Sequence, residues 1–228
     1  MIDPKQHKVR VATGSQRHHA SDTLTEVAAN SRAGIRVPGY VRGLIFDCDG
    51  TLVDSMPLHM EAWEHAIVRY GAPYHRDFVD SQKGMKETAI VILYNQRFGT
   101  SLDEYSVVAE KQRYLSARIH EVKPFEPIVS VVRRSRRLLP MAVASGSARD
   151  IVIGELEAIG LADVFAIVLT ADDPLPPKPA PDLFLEAARH MQIPPAQCQV
   201  FEDGDAGLEA ARRAGMLATD VRPFTGQS

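Results

Sequence analysis

The 228 residues are 45% hydrophobic and 24% charged, the balance of a globular protein with room for one medium domain or for one domain carrying a smaller insert. No apolar run approaches the ~20 residues of a membrane span, and a net charge of −3 gives no reason to expect nucleic-acid or membrane partners. Cys48 and Cys198 have neither disulfide nor metal-ligand spacing, so a soluble, cytoplasmic monomer is expected.

Residues 1–40 read apart from the remainder. Lys5, Lys8, Arg10, Arg17, Arg32 and Arg36 outnumber Asp3, Asp22 and Glu26, and no apolar period is sustained. A short helix over Asp22–Asn30 with Ser21 as its cap is expected. There is no apolar core of a secretory signal, and His18-His19 is too short for a metal site. The segment reads as a surface or mobile extension with no assigned function.

Leu44–Phe46 is an apolar run of the kind that forms a buried parallel strand. It stops at Asp47-Cys48-Asp49-Gly50-Thr51-Leu52-Val53-Asp54, because aspartate and glycine are depleted from strands. Two carboxylates at a strand's carboxyl end sit where open α/β sheets place their ligands. Asp47 has the chemistry of a nucleophile and Asp49 that of a proton carrier. Gly50 permits a sharp turn that brings backbone N–H groups to an anion. Cys48, between the aspartates, reads as a small buried filler.

Helical patterning follows. Ser55-Met56-Pro57 starts a helix that closes at Gly71, with Ser55, His59, Trp63 and Ile67 on one face. Further helices are expected over Arg76–Gln82, Lys86–Arg97 and Leu102–Glu121, the last capped by Ser101. Four helices in a row are too much for a simple strand crossover. Residues 55–124 therefore read as a helical cap inserted into an α/β core made of residues 41–54 and 125–228. Closing such a lid would exclude water from the site.

The core resumes with a helix over Glu126–Leu138, whose Arg133–Arg137 cluster reads as a solvated helix end. The strand Met141–Ala144 leads into Ser145-Gly146-Ser147 and a helix over Ala148–Ile159. A serine hydroxyl and glycine N–H groups at a helix amino terminus form an anion site, though Ser-Gly-Ser is also an ordinary turn. The strand Val164–Thr170 precedes a loop with five prolines between Pro174 and Pro181, stiff enough to hold Lys178 as a fixed point charge. After a helix over Asp182–Met191, the strand from Gln199 ends in Glu202-Asp203-Gly204. Ala206, Gly207, Ala210, Ala211 and Ala214 then give a helix small enough to pack closely on the sheet, and a last strand is expected over Met216–Asp220.

The string Asp47 to Asp54, with Ser145, Lys178-Pro179-Ala180-Pro181-Asp182 and Glu202-Asp203, resembles the four motifs of the haloacid dehalogenase superfamily of aspartyl-phosphate phosphatases and phosphomutases. The resemblance spans about Val41 to Arg222 and departs at Gly204, where serine is usual. It implies a Rossmann-like parallel sheet with an inserted helical cap. It also implies Asp47 as nucleophile, Asp49 as acid and base, and Ser145, Gly146 and Lys178 on the phosphoryl group. Asp47, Asp49, Glu202 and Asp203 would be gathered around a divalent cation. Four carboxylates facing a phosphate need such a cation, and an all-oxygen donor set points to Mg²⁺. The sequence looks most like the β-phosphoglucomutase-like branch, which includes phosphatases acting on fructose 1-phosphate and 6-phosphogluconate. There His59, Trp63, Lys83 and Lys111 match the cap pattern and would meet the substrate. Hydrolysis of a small sugar phosphate is the expectation, with a sugar-phosphate mutase and a non-catalytic phosphosugar-binding protein as alternatives. A mutase has to hold a bisphosphorylated intermediate, and the carboxylate of Glu87 in the expected cap opposes that.

Overall fold

The computed structural model describes residues 34–82 and 85–226. The expected helix at Asp22–Asn30, His18-His19 and Lys83 lie outside them. From Ile35 onward the described residues belong to one compact unit.

Every residue of Gly43–Phe46 (β1) is buried, which requires cover on both faces of the sheet. Successive side chains supply it by alternating. Leu44 and Phe46 join one core cluster with Val143 and Phe201, while Ile45 joins another with Ala142, Ala144 and Val200. The partners are Met141–Ala144 (β4), Ile167–Leu169 (β5), Cys198–Glu202 (β6) and Leu217–Asp220 (β7). All pairings are parallel and the order is β5-β4-β1-β6-β7. The chain runs outward from β1 through β4 to β5 and then crosses back to β6 and β7, so the switch point of the sheet lies at the carboxyl ends of β1 and β6.

One face is covered by Glu126–Ser135 (α5) and Arg149–Ala158 (α6) through Ile128, Val129, Val132, Val152 and Leu156. The other is covered by Asp182–Met191 (α7) and Asp205–Arg213 (α8) through Phe184, Ala187, Ala188, Ala210 and Ala211. Arg133 pairs with Glu126 and Arg134 donates to the Ile35 carbonyl, so half of the arginine cluster is used structurally.

Met56–Arg69 (α1), Arg76–Asp80 (α2), Glu87–Phe98 (α3) and Glu104–Arg118 (α4) form the four-helix block, with its own core of Trp63, Ile67, Val91, Tyr94 and Val107. Both of its tethers pass through a ribbon that the sequence pattern does not reveal. Val53–Asp54 (β2) pairs antiparallel with Lys123–Pro124 (β3), and the Phe125 N–H donates to the Leu52 carbonyl at 2.9 Å. Two-residue strands are too short for alternation to register. The cap of α4 also differs from expectation. Asp103 holds the position, its carboxylate accepting from the Ser106 N–H at 2.8 Å, and Ser101 lies before it. Arg222–Thr225 adds a one-turn helix (α9) that was not expected.

Phe46 and Phe201 stack with centroids 4.7 Å apart and 9° between planes. Just beyond them the Asp47 N–H donates to the Phe201 carbonyl at 3.0 Å, so the ladder of β1 and β6 continues into the acidic turn and makes Asp47 the neighbour of Glu202. Phe201→Ala should cost about 3–5 kcal/mol by urea unfolding, since both rings are fully buried. A loss below about 1 kcal/mol would show that the layer under the site is loosely packed.

Candidate active site

Three carboxylates converge at the carboxyl ends of β1 and β6. One oxygen each from Asp47, Glu202 and Asp203 lies within 4.8 Å of the others. The loop after β5 inserts a cation among them. Lys178 Nζ is 2.6 Å from Asp47 Oδ1 and 2.7 Å from Glu202 Oε2, and it stands 5.0 Å from the Phe184 ring centroid. Burial alone would lower the Lys178 ammonium, but Asp47 and Glu202 outweigh it and hold it well above its usual value. One ammonium does not balance three carboxylates. Burial and the Glu202 charge push Asp47 well up, and the same two causes push Asp203 to about 6.

Backbone without side chains makes this crowding feasible. Gly50 has φ +75, and a Cβ there would collide with the Asp203 carboxylate. A Cβ on Gly207 would strike the Glu202 carboxyl, so this small residue of α8 makes room for the site as well as for packing. Glu202 Oε1 accepts from the Gly204 N–H at 3.0 Å. Asp203 Oδ1 accepts from Thr51 Oγ1 at 2.9 Å, a support that nothing in the sequence singled out.

The fourth expected member of the cluster, Asp49, sends its side chain elsewhere. Oδ1 accepts from Ser55 Oγ at 2.7 Å and lies 3.1 Å from His59 Nε2, and Oδ2 accepts from Ser147 Oγ at 2.5 Å. The reason is local: the strand has ended, so the alternation that would have aligned Asp47 and Asp49 no longer holds. Burial raises the Asp49 carboxyl, but His59, Glu155 and Ser147 more than reverse this and hold it well below the usual carboxylate range. Ser55, the residue before α1, gives its hydroxyl to Asp49 and makes no capping bond.

The Ser145-Gly146-Ser147 turn follows β4 beside this pair, as expected. Ser145 is buried and its Oγ accepts from the Ser147 N–H at 3.1 Å, while Gly146 is exposed. The contact with Asp49 comes from Ser147, which the sequence reading passed over.

His59 is brought to the site, whereas Trp63 and Lys111 are placed behind it. Trp63 is 4% exposed within the core of the helical block. Lys111 Nζ donates to Glu87 Oε1 at 2.5 Å and to His59 Nδ1 at 3.1 Å. With Nδ1 accepting from an ammonium, Nε2 carries the ring hydrogen, and it lies 3.1 Å from Asp49 Oδ1 without the alignment of a hydrogen bond.

Glu155 on α6 is the site residue most hidden from sequence reasoning. It is 0% exposed, takes the Cys48 thiol at 3.2 Å on Oε2, and belongs with Asp49 and His59 to a second group of donors within 4.8 Å. A single glutamate in an amphipathic helix reads as solvated, and only the fold shows that it points inward. Burial, then the Asp49 charge, push its carboxyl well above the ordinary 4.5.

The haloacid dehalogenase-like hydrolase family model matches residues 41–215. Fructose-1-phosphate phosphatase YqaB of Escherichia coli is 39% identical over 79% of this chain and 96% of its own length. The β-phosphoglucomutase of Bacillus subtilis is 27% identical over 79% of this chain and 83% of its own. Among solved structures, CbbY from Rhodobacter sphaeroides in complex with phosphate superposes with a TM-score of 0.71 at 21% identity, covering 78% of this chain and 84% of that one.

The Glu155 shift has a measurable consequence. A folded-state value above the unfolded one means that the native protein holds a proton the unfolded chain releases, so this contribution is complete below about pH 4.5 and is lost as pH rises toward the folded value. Glu155→Gln abolishes that loss. Its melting temperature relative to wild type should therefore climb between pH 5 and pH 8, and parallel curves would mean that Glu155 is ionised in the native state.

Proposed function

This chain belongs to the haloacid dehalogenase-like hydrolases, and from that premise we propose that it is a Mg²⁺-dependent phosphatase of small sugar phosphates that works through an aspartyl-phosphate on Asp47. The observation that carries the reading is the separation of two neighbouring aspartates into opposite environments. Asp47 sits against a buried ammonium in an acidic cluster, and Asp49 sits among hydroxyl and imidazole donors. Paired groups set apart in this way divide nucleophilic and proton-transfer work.

Asp47 attacks phosphorus while Lys178 faces the charge that spreads over the phosphoryl oxygens. Ser145 and the Gly146 N–H, at the end of β4, would receive the remaining oxygens. Asp49 gives a proton to the leaving oxygen as Asp47 attacks and takes one back from the water that cleaves the aspartyl-phosphate, so each turnover returns the pair to its starting state. Three carboxylates, two buried and one half-buried, with no sulfur or imidazole ligand suit a hard divalent cation, and Asp47, Glu202 and Asp203 would hold it. Such a cation supplies positive charge beside the transferring phosphoryl group.

Residues 55–124 act in this reading as the lid, with the β2–β3 ribbon as its tether and His59 as its link to Asp49. The relatives named as sugar-phosphate enzymes support a phosphorylated sugar as the substrate class.

Asp47→Asn should reduce phosphate release to background without altering the circular-dichroism spectrum, because the amide has nearly the same shape and is a poor nucleophile. Lys178→Ala should lower kcat by about 10²-fold or more. Near-normal turnover of a sugar phosphate by Asp47→Asn would overturn the covalent route.

A further inference from the structure

Asp49 has a buried neighbour to which the chemistry so far gives no task. Glu155, on α6, is 0% exposed, and an enclosed carboxyl is costly unless it is hydrogen-bonded. The polar groups that face it come from two other elements. Cys48 and Asp49 lie on the turn after β1, with the charge of Asp47 beyond them, and His59 comes from α1. Cys48 gives its thiol hydrogen to Oε2 at 3.2 Å, while Oε1 is enclosed with no donor to it among the described residues. One oxygen each of Glu155 and Asp49 and a ring nitrogen of His59 lie within 4.8 Å of one another, and the two carboxyls share a hydrogen bond.

A hydrogen bond between two carboxyls needs a hydrogen on one of them, because ionised carboxylates only accept. The surroundings decide which one holds it. Asp49 receives Ser55 Oγ at 2.7 Å and Ser147 Oγ at 2.5 Å, and His59 Nε2 stands 3.1 Å away. Donors of that kind favour the charged form. Glu155 receives a single thiol, a weak donor. The hydrogen therefore belongs to Glu155 and is given to Asp49.

Resting on the phosphatase reading, we propose that Glu155 is a positioning residue, a neutral carboxylic acid that donates to Asp49 and holds it for proton transfer to the leaving oxygen. Glu155 keeps its own proton throughout, and Asp49 is the group that gives one and takes one back. A neutral donor steadies the Asp49 carboxylate without placing another negative charge beside the transferring phosphoryl group. Its place in the fold also separates it from the other donors. Ser55 and His59 come with the helical block, whereas α6 packs on the sheet through Val152 and Leu156 and carries Glu155 independently of that block.

The test uses two leaving groups that differ in their need for a proton. A sugar oxygen has to be protonated as it leaves phosphorus, whereas p-nitrophenolate leaves without a proton. The ratio of kcat/KM for fructose 1-phosphate to that for p-nitrophenyl phosphate therefore reads Asp49 as an acid. Glu155→Leu removes the donated hydrogen, and the ratio should fall about tenfold or more. Glu155→Gln keeps a neutral donor for Asp49 and an acceptor for Cys48, so the ratio should stay within about threefold of wild type. The infrared spectrum at pH 8 reads the proton itself: wild type should show a carboxylic-acid carbonyl band that Glu155→Gln removes. An unchanged ratio in Glu155→Leu, equal losses in both variants, or a spectrum that Glu155→Gln leaves unaltered overturns the proposal. If Glu155→Leu fails to fold, the infrared comparison decides alone. Wild type that releases phosphate from neither ester would remove the phosphatase reading and this role with it. Release from both esters with the ratio unmoved in Glu155→Leu would remove this role alone.

Discussion

Lys178 is the constraint around which the site is arranged. A buried carboxylate is costly unless paired, and the carboxyl edge of this sheet buries Asp47 and Glu202 side by side because β1 and β6 are adjacent and in register. Asp203 adds a third charge one residue later. The ammonium that bridges Asp47 and Glu202 comes from a loop of alternating prolines after β5, on the far side of β4. Stiffness is what that loop contributes, since a flexible lysine would pay side-chain entropy to remain there. The backbone complies at Gly50 and Gly207, where any side chain would occupy the space of a carboxylate.

The imbalance left by a single ammonium is chemically useful. Burial, then the Glu202 charge, displaces Asp47 and Asp203 upward, and a group that must otherwise hold protons is one that readily receives a cation. Asp49 escapes that cluster because its side chain turns toward Ser55, His59 and Ser147, with Glu155 as the acid beside it. With one residue between them, the two aspartates face different centres, and the turn at Gly50 follows at once. Ser55 and His59, at the start of the helical block, join a core carboxylate to the insert.

Much of this was legible in the sequence, for identifiable reasons. β1, β4 and β6 are short apolar runs that end abruptly at polar residues, and each abrupt end carries a residue of the candidate site: Asp47, Ser145 and Glu202. The helical block showed itself by length alone, since four helices cannot be a crossover. The β2–β3 ribbon was hidden because two residues carry no period. Thr51, Ser147 and Glu155 were missed because their importance lies in where a side chain turns, which composition does not encode. Trp63 and Lys111 lie buried behind His59, for a helical face fixes direction around an axis but not depth. The capping error at Ser101 arose because Asp103, two residues on, is an equally good cap.

One ammonium leaves the Asp47–Glu202–Asp203 cluster under-neutralised, a charge balance suited to a hard divalent cation. Calorimetric titration with Mg²⁺ in buffers of different ionisation enthalpy measures both binding and the protons it displaces. Asp203 is pushed to about 6 and Asp47 is also raised. Binding near pH 6 should therefore release on the order of one proton per cation, and binding at pH 8 should release distinctly fewer. Failure of Mg²⁺ to bind, or binding with no proton release at either pH, would contradict the charge imbalance on which this account of the site rests.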